Sequence, residues 1–402
     1  MQSPWRTISI LAVTQIASWG SLYYAFSIVA GAIGADLQLA PELVFGAFSV
    51  SLLVTGVCAT PAGILLDRFG GRWIMGFGSI ICGFGMIWLS YASGPASYFG
   101  AWIVLGVAMA LTLYEAAFAT INRKFASDAR RAISTLTLFA GFASTIFWPL
   151  TLQLNKLLGW RDTYFWFGVA QLALCFPLHL LLGADAPREQ NRGSAPVRSH
   201  TLVEALRHAA FWKLAFAFSA NTFVFSALSV HLIPLLQNMG HIAGLAVLMA
   251  TLIGPMQVVG RVLERTVARN AMPQTVGKFT LAALPAALLA LLVFGQQAWA
   301  IAIFCVLYGL SNGILTIVRG TIPQAMFGPE NYGAISGAMA GPSLLSKAAG
   351  PLTAAWILGA SGTPTSLIAV LLGVAMLSFW LYLSAIASST PNSTSSALLE
   401  KL

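Results

Sequence analysis

Four ionisable side chains lie inside long apolar stretches of this sequence, and they are Glu115, His231, Arg319 and Lys347. Burying such groups in a membrane is costly, so ionisable residues in apolar spans usually face a polar interior and act on ions or substrates. Glu115 belongs to the first half of the chain and the other three to the second half. We therefore expect the four side chains to meet across a central cavity between the halves.

The charges of these groups indicate how they could work together. Desolvation favours the neutral form of a lone Glu115, whereas a nearby arginine favours its carboxylate form. Because substrate binding can decide which effect is larger, Glu115 is the candidate for taking up and releasing a proton. Arg319 offers a permanent charge and a bidentate geometry, so it is the candidate for binding an anionic substrate. The alternative is a static Glu115–Arg319 ion pair that only holds the two halves together.

His231 and Lys347 each allow two interpretations. His231 could exchange a proton or form a hydrogen bond in the cavity, or it could bind a backbone carbonyl that Pro234 leaves unpaired. Lys347 could line the cavity, or it could extend its ammonium group toward the cytoplasmic surface. The remaining candidates for the wall of a substrate site are Asn312, which shares a helix face with Arg319, together with Asn221, Tyr23, Tyr24 and Trp148.

A charged sequence at residues 63–72, GILLDRFGGR, stands between two apolar runs and must turn at a membrane surface. A shorter copy begins 197 positions later. Its glycine permits close backbone approach, its acid can bind the N-terminus of a neighbouring helix, and its bases favour the cytoplasmic side. We expect a cytoplasmic gate formed by Gly63, Asp67, Arg68 and Arg72 of the first copy and by Gly260, Glu264 and Arg265 of the second.

The composition restricts the protein to the polytopic membrane class. Of its 402 residues, 58% are hydrophobic and 8% are charged, and the mean hydropathy is +0.80, so a soluble core could not bury the apolar surface. The formal charge of +9 follows the positive-inside pattern rather than a nucleic-acid patch, because only Lys156 and Arg161 are expected outside on the far side. This pattern predicts a bacterial-type inner-membrane protein with both termini cytoplasmic. The first apolar run lacks a convincing cleavage site and is expected to remain as the first span.

Twelve apolar segments approach the ~20 residues needed to cross a membrane. They are residues 7–33, 42–66, 73–93, 98–122, 132–154, 163–183, 211–237, 242–264, 274–294, 299–322, 333–358 and 365–387. The polar segment 184–200 separates two sets of six, so we predict bundles at 1–183 and 211–402 with a cytoplasmic linker at 184–210. Thr201 and Glu204 predict a capping box that opens a short helix, which either lies in the membrane interface or simply extends the seventh span.

Enzyme chemistry and cofactor binding are not indicated. The match to G-x-S-x-G at residues 309–313 falls inside an apolar span, whereas a nucleophile elbow needs a strand-to-helix turn. We find no phosphate-binding P-loop and no H-E-x-x-H, so we predict no cofactor, no metal and no ATP-driven pumping. The four cysteines have no metal-ligand spacing and are interpreted as small buried packing residues.

Residues 63–72 and their shorter copy resemble the loop signature of the major facilitator superfamily. That resemblance implies twelve helices in two six-helix bundles that rock about a central site, with Gly333, Gly337 and Gly341 of helix 11 crossing helix 2 near Ala59, Ala62 and Gly63. Residues 19–26, 230–236 and 254–261 also resemble bacterial carriers near the monocarboxylate and oxalate/formate group. One departure is that animal-type members place an acid and a base inside helix 8, which carries no charge here before Arg261.

The resemblance and the ionisable residues together predict a monomeric secondary transporter. The expected function is proton-coupled transport of a small organic anion, most simply a monocarboxylate. The alternative is proton-driven efflux of a drug, a siderophore or another metabolite, for which the aromatic residues and the same Glu115 would serve.

Overall fold

A computed structural model describes residues 4–125, 128–183, 199–361 and 363–388, and every regular element in these ranges is helical. Two π-helical turns lie within the chain, Gly20–Tyr24 between α1 and α2 and Gln171–Cys175 between α8 and α9. The helices are α1 Pro4–Trp19, α2 Ala25–Leu37, α3 Pro41–Phe69, α4 Gly71–Ser90, α5 Pro95–Thr112, α6 Tyr114–Lys124, α7 Ala129–Ala140, α8 Ala143–Ala170, α9 Phe176–Leu180, α10 Leu202–Arg207, α11 Ala209–Asn238, α12 Ala243–Ala250, α13 Ile253–Thr266, α14 Pro273–Phe294, α15 Ala298–Phe327, α16 Tyr332–Ser361 and α17 Pro364–Ala387.

The predicted twelve-helix architecture is confirmed. In the part of the chain that the structure describes, ten helical segments are both long and apolar enough to cross a membrane. One of them, Ala129–Leu180, has 52 residues and holds two crossings, because Gly159 at φ 81° reverses the chain inside α8. The twelfth crossing is α16, whose 30 residues are long enough but include many glycines and serines as well as Lys347.

Each half of the molecule has its own apolar core. In the first half, Phe26, Tyr98 and Trp102 are nearly or fully buried in the apolar core. In the second half, Phe218 and Tyr308 belong to a separate cluster drawn from residues 205–385. Helices pair most backbone groups internally, which is the condition for stable crossing of a lipid bilayer. The core of each half therefore forms a rigid bundle that can carry site residues.

One end of the molecule gathers the charged loops, and we call it the linker end. The last residues of α3 and the first residues of α16 meet there, and Lys124 at the end of α6 donates to the Gly183 carbonyl. At the opposite end, Arg161 forms an ion pair with Asp36 at 2.9 Å and donates to the carbonyls of Ser90 and Ala92 at 2.8 Å each. Arg161 thus joins the three connections of the first half at that end.

The two halves touch most closely where α3 crosses α16. A Cβ placed on Gly63 or on Gly333 would clash with the backbone of the other residue. A Cβ on Gly337 would clash with the Ala59 carbonyl, and Gly56 packs against Leu344. Small residues allow this approach of two backbones, which is the usual way for helices to associate in a membrane. The contact predicted between the small faces of helices 2 and 11 is confirmed.

Several crossing segments are interrupted inside the membrane. The fourth crossing breaks at Leu113, whose φ of −81° and ψ of −163° separate α5 from α6. The fifth breaks between α7 and α8, and the eighth breaks between α12 and α13. In the first crossing, Gly20 opens a π-helical turn and lies directly against the Phe147 ring. Such interruptions are often found at functional sites. Of those named here, only the break in the eighth crossing lies in the second half.

The segment that follows the linker behaves in part as predicted. Residues 184–198 lie outside the described part of the chain. Thr201 and Glu204 form the predicted capping box, in which Glu204 N–H donates to Thr201 Oγ1 at 3.2 Å and Thr201 N–H donates to Glu204 Oε2 at 2.8 Å. His208 is extended and separates α10 from α11, so α10 is not an extension of the seventh crossing. Of the four cysteines, Cys58 is only partly buried, contrary to the expectation.

Candidate functional site

Glu115 and Arg319, one from each half, line the same small cavity. Its other walls are Phe118, Phe218, Pro323, Ser336, Met339 and Ala340, and its volume of about 30 Å³ is enough for a water molecule. Between these two described side chains there is no ion pair within 4.0 Å, and Arg319 Nη1 instead donates to Thr222 Oγ1 at 3.3 Å. The static Glu115–Arg319 bridge is therefore absent from this conformation, although the two charges interact electrostatically.

The break in the fourth crossing determines where Glu115 stands. α5 ends at Thr112 and α6 begins at Tyr114, so Glu115 lies in the first turn of a half-helix inside the molecule. The N-terminus of a helix carries a partial positive charge that favours a carboxylate nearby. Glu115 is thus positioned between a helix N-terminus and Arg319, which both present a positive potential to it.

Lys347 makes a cation–π contact with the other half of the molecule. Its Nζ lies 3.9 Å from the centre of the Tyr23 ring and 5.8 Å from that of Trp19. The side chain is half-buried, so it does not extend to the linker end, as one interpretation had allowed. Ser226 Oγ donates to the Lys347 carbonyl at 2.5 Å and fixes α16 against α11 at this level. Lys347 thus reaches across the interface between the halves.

Five aromatic side chains of the first half, which we call the aromatic cluster, surround this contact. They are Trp19, Tyr23, Tyr24, Tyr114 and Trp148. The Trp19 ring centre lies 5.0 Å from that of Tyr114, and the Tyr24 ring centre lies 5.8 Å from that of Trp148. Trp148 is 47% exposed. Edge-to-face and tilted aromatic pairs of this kind present flat apolar walls with hydroxyl and indole N–H groups at their edges.

Arg261 on α13 belongs to the site but was not among the residues predicted for it. Its side chain is 7% exposed, its Nη1 lies directly against Gly141, and its charge reaches the hydroxyl groups of Tyr24 and Tyr114. The Arg261 Nε is buried without a partner among the described residues. One signal in the sequence could have found it: the repeat of residues 63–72 has Ile64 where its copy has Arg261.

The other predicted site residues differ in their surroundings. His231 Nε2 donates to the Pro351 carbonyl at 3.0 Å, so it binds a backbone carbonyl of α16 rather than one in its own helix. Asn221 is 1% exposed, and neither atom of its amide has a partner among the described residues. Asn312 is half-buried on α15. A buried amide without partners is costly, so Asn221 is the one of these three that has hydrogen bonds to offer a ligand or a water molecule.

At the linker end, Asp67 binds the N-terminus of α16. Its carboxylate accepts hydrogen bonds from the N–H groups of Gly333 at 3.0 Å and Ala334 at 2.8 Å. These N–H groups have no partner within their own helix, and the helix dipole adds a favourable interaction with the acid. Arg123 donates to the Asp67 carbonyl and so connects α6 to the same point.

The second copy of the motif makes an equivalent contact in the opposite direction. Glu264 is 3% exposed and pairs with Arg130 of α7 at 2.7 Å, while Ser134 Oγ donates to its other oxygen at 2.8 Å. Arg265 donates to Thr135 Oγ1 of the same helix. Each acid of the repeated motif therefore joins its own half to a helix of the other half.

Three of the predicted gate residues make no such connection. Arg68 stacks on Phe69 and Arg72 on Trp73, with guanidinium carbons 5.1 Å and 4.9 Å from the ring centres. Gly260 packs against Leu310 within the second half. The contacts that join the halves come from Gly63 and from both acids, together with Arg265.

Comparisons with known proteins concern the fold and family of this chain. The sequence profile described as Major Facilitator Superfamily matches residues 8–341. An uncharacterized MFS-type transporter of Escherichia coli, YhjX, is 26% identical over 220 residues, and the match covers 53% of each chain. The chain therefore spans about half the length of this relative.

Two solved structures share the fold at low identity. The human organic anion transporter MFSD10 (TETRAN) superposes with a TM-score of 0.74 at 15% identity, covering 95% of this chain and 100% of that one. The fucose:proton symporter FucP of E. coli superposes with a TM-score of 0.71 at 14% identity, covering 97% and 100%. These similarities show the arrangement of the helices.

Proposed function

Because this chain belongs to the major facilitator superfamily, a family of multi-pass membrane transporters, we propose that it couples protons to the transport of a small organic anion. A monocarboxylate is the simplest such substrate. The chain acts as a monomer, since both halves of the site come from one chain. Its linker end and both termini are cytoplasmic in a bacterial-type inner membrane. The two bundles, 1–183 and 211–402, move against each other about the site, and residues 184–210 connect them.

The observation that carries this proposal is the charge balance between the halves. Glu115 and Arg319 line one small cavity, while Arg261 and Lys347 have no carboxylate partner among the described residues. A buried cation without a counter-charge is strongly unfavourable. A substrate carboxylate supplies that counter-charge, and Arg261 and Arg319 can each hold it by two parallel hydrogen bonds.

The same charges explain why a proton moves with the anion. Arg319 and the N-terminus of α6 both present a positive potential to Glu115. A bound anion reduces the positive potential at Glu115 and therefore favours its protonation. The site then binds an anion and a proton together. The loaded transporter therefore carries no added net charge when it changes conformation.

Alternating access requires the linker-end contacts to open. Asp67, Glu264 and the glycine contacts of α3 and α16 close that end in the structure. The cavity at Glu115 is too small for a monocarboxylate. The substrate therefore approaches Arg319 from the side of the aromatic cluster, where Lys347, Arg261 and the half-exposed Trp148 lie.

A second candidate is proton-driven efflux of a drug, a siderophore or another metabolite. The aromatic cluster favours this function, because stacked rings bind planar or amphipathic compounds by apolar contact and by cation–π interaction. In that case Glu115 would exchange the proton, while the cations would have a structural role.

The two functions are separated by transport into proteoliposomes. With an inwardly directed proton gradient and radiolabelled lactate as the probe, we expect saturable uptake that Arg319→Ala reduces by about 10- to 100-fold, the loss expected for a charged hydrogen bond. Glu115→Gln should abolish acceleration by the gradient but retain exchange of lactate across the membrane.

Efflux would instead be supported if amphipathic cations, and not carboxylates, raised the thermal stability of the purified protein. Uptake that is unaffected by Arg319→Ala would contradict the proposed anion site.

A further inference from the structure

The fourth crossing breaks at a residue whose type does not explain the break. Leu113 is neither glycine nor proline, and its ψ of −163° differs widely from the roughly −42° of a helix. Its own N–H still donates to the Met109 carbonyl at 3.1 Å, and the Ala117 N–H donates to the Leu113 carbonyl at 3.1 Å. Because Leu113 lies between α5 and α6 with a non-helical backbone, the bond from the Ala116 N–H to the Thr112 carbonyl that a continuous helix would contain is not formed at the break.

The side chain of Gln15 takes the place of that missing bond. Its Nε2 donates to the Thr112 carbonyl at 2.6 Å, and the side chain is fully buried in α1. The Thr112 hydroxyl donates to the Ala108 carbonyl at 2.7 Å, which provides a further bond for the end of α5. A buried carbonyl without any partner would cost roughly 1–3 kcal/mol, so the Gln15 amide stabilises the broken form of this crossing.

The first crossing also supports the other side of the break. Trp19 lies four residues after Gln15, on the same face of α1, and its ring centre is 5.0 Å from that of Tyr114 at the start of α6. Tyr114 in turn stacks on Phe118 at 5.2 Å, and Phe118 lines the cavity that holds Glu115. One face of α1 therefore contacts both the last residue of α5 and the first residue of α6.

We propose that Gln15 is a positioning residue, which holds the fourth crossing open at Leu113 and thereby aims Glu115 at Arg319. Glu115 is the second residue of α6, so its direction depends on the turn that the break introduces. If the Thr112 carbonyl instead accepted the Ala116 N–H, α5 and α6 would join and Glu115 would rotate away from the cavity. This inference rests on the proton role proposed for Glu115, but the geometry of the break can be tested without it.

Hydrogen–deuterium exchange of the purified protein tests the break directly. Gln15→Leu keeps the approximate size of the side chain but removes the donor, so the Ala116 N–H should close the helix. We expect the amides of Tyr114, Glu115 and Ala116 to exchange severalfold more slowly than in the unmodified protein.

A matched control is Gln171→Leu. Gln171 is also buried in the first half, and its Nε2 donates to Ser18 and Ser21 instead of to the break. Gln171→Leu should leave the exchange rates of the Tyr114, Glu115 and Ala116 amides unchanged. Unchanged or faster exchange in Gln15→Leu, or an equal effect in both variants, would overturn the proposal.

A transport measurement tests the consequence for Glu115. With lactate as the probe, Gln15→Leu should lower proton-driven net uptake about tenfold while lowering proton-independent exchange much less. Adding Gln15→Leu to Glu115→Gln should have no further effect, because both changes act through the same carboxylate. A general folding defect would lower net uptake and exchange equally and would count against a positioning role. If the unmodified protein shows no proton-driven uptake, the proposed function fails, and the exchange experiment still decides the role of Gln15.

Discussion

Several buried polar side chains of this protein have hydrogen-bonding atoms or charges without a partner among the described residues. Arg261 and Asn221 are almost completely buried, yet each has polar atoms without a partner among the described residues. Lys347 rests on the Tyr23 ring rather than on a carboxylate. Groups in such positions normally cost stability. In the function proposed above, a substrate anion supplies the missing partners.

Arg261 provides a prediction at this scale. Arg261→Gln keeps a polar side chain but removes the charge, so we expect the KM for lactate to rise by about 10- to 100-fold, in line with the loss of a charged hydrogen bond. The control is Arg269→Gln, which changes an exposed arginine of the same part of the chain and should leave the KM unchanged. Initial rates of uptake into proteoliposomes measure both. Equal KM values in the two variants would remove Arg261 from the anion site.

Among the helices, α3 and α16 form the closest contact between the halves. Their glycines bring backbone against backbone, so no flexible side chain can move aside to relieve an added group. The same crossing carries the two hydrogen bonds from α16 to Asp67. Close packing and a charged hydrogen-bond pair thus act at one point, and both would have to be lost for the proposed opening of the linker end.

Substitution of Gly337 tests this contact. Gly337→Val places a side chain against the Ala59 backbone and should destabilise the closed form by about 1–3 kcal/mol, as overpacking of a tight contact does. Gly359→Val changes the same helix at a position with no other atom within 4 Å of an added Cβ, and it should have little effect. Thermal unfolding followed by tryptophan fluorescence compares the two variants. If Gly337→Val and Gly359→Val unfolded at the same temperature, α3 and α16 could move apart at this contact without loss of stability.

The whole molecule is a pair of bundles whose linker end is held shut by two related contacts. Asp67 joins α3 to α16, and Glu264 joins α13 to Arg130 and Ser134 of α7. Each acid reaches from its own half to the other, so the proposed rotation of the bundles would break both contacts. At the opposite end, the contacts of Arg161 with Asp36, Ser90 and Ala92 remain within the first half. The proposed rotation would leave those contacts intact.

Removal of one acid should therefore shift the conformational equilibrium. Asp67→Ala leaves the Gly333 and Ala334 N–H groups without their acceptor, and we expect the population open at the linker end to rise by at least about tenfold. Spin labels at the exposed positions Phe69 and Val267, in a background without the native cysteines, report the distance between the halves. Asp36→Ala, at the opposite end, is the control and should leave the distance distribution unchanged. An unchanged distribution in Asp67→Ala would show that this carboxylate does not hold the end closed.

Much of the architecture was predictable because it depends on local properties of the chain. Long apolar segments must form helices in lipid, since no water is present to bind the backbone. That requirement was sufficient to predict twelve crossings, whereas the meeting of helices 2 and 11 was an expectation from the family resemblance that the repeated motif carries. The capping box of α10 is likewise a local pattern of Thr201 and Glu204.

What only the tertiary structure decided are the contacts between distant segments. Arg261 is buried because Gly141, in the turn between α7 and α8, leaves room for its guanidinium group. The fourth crossing breaks at Leu113 because Gln15, 97 positions before Thr112, supplies a donor to the freed carbonyl. Hydropathy and motif spacing predict which segments lie in lipid and which in water. They do not identify the residue that a given side chain will contact. The sequence by itself thus determined the helices and their ionisable groups, whereas packing between the helices decided which groups are paired, because burial and hydrogen bonding depend on atoms brought together only by the fold.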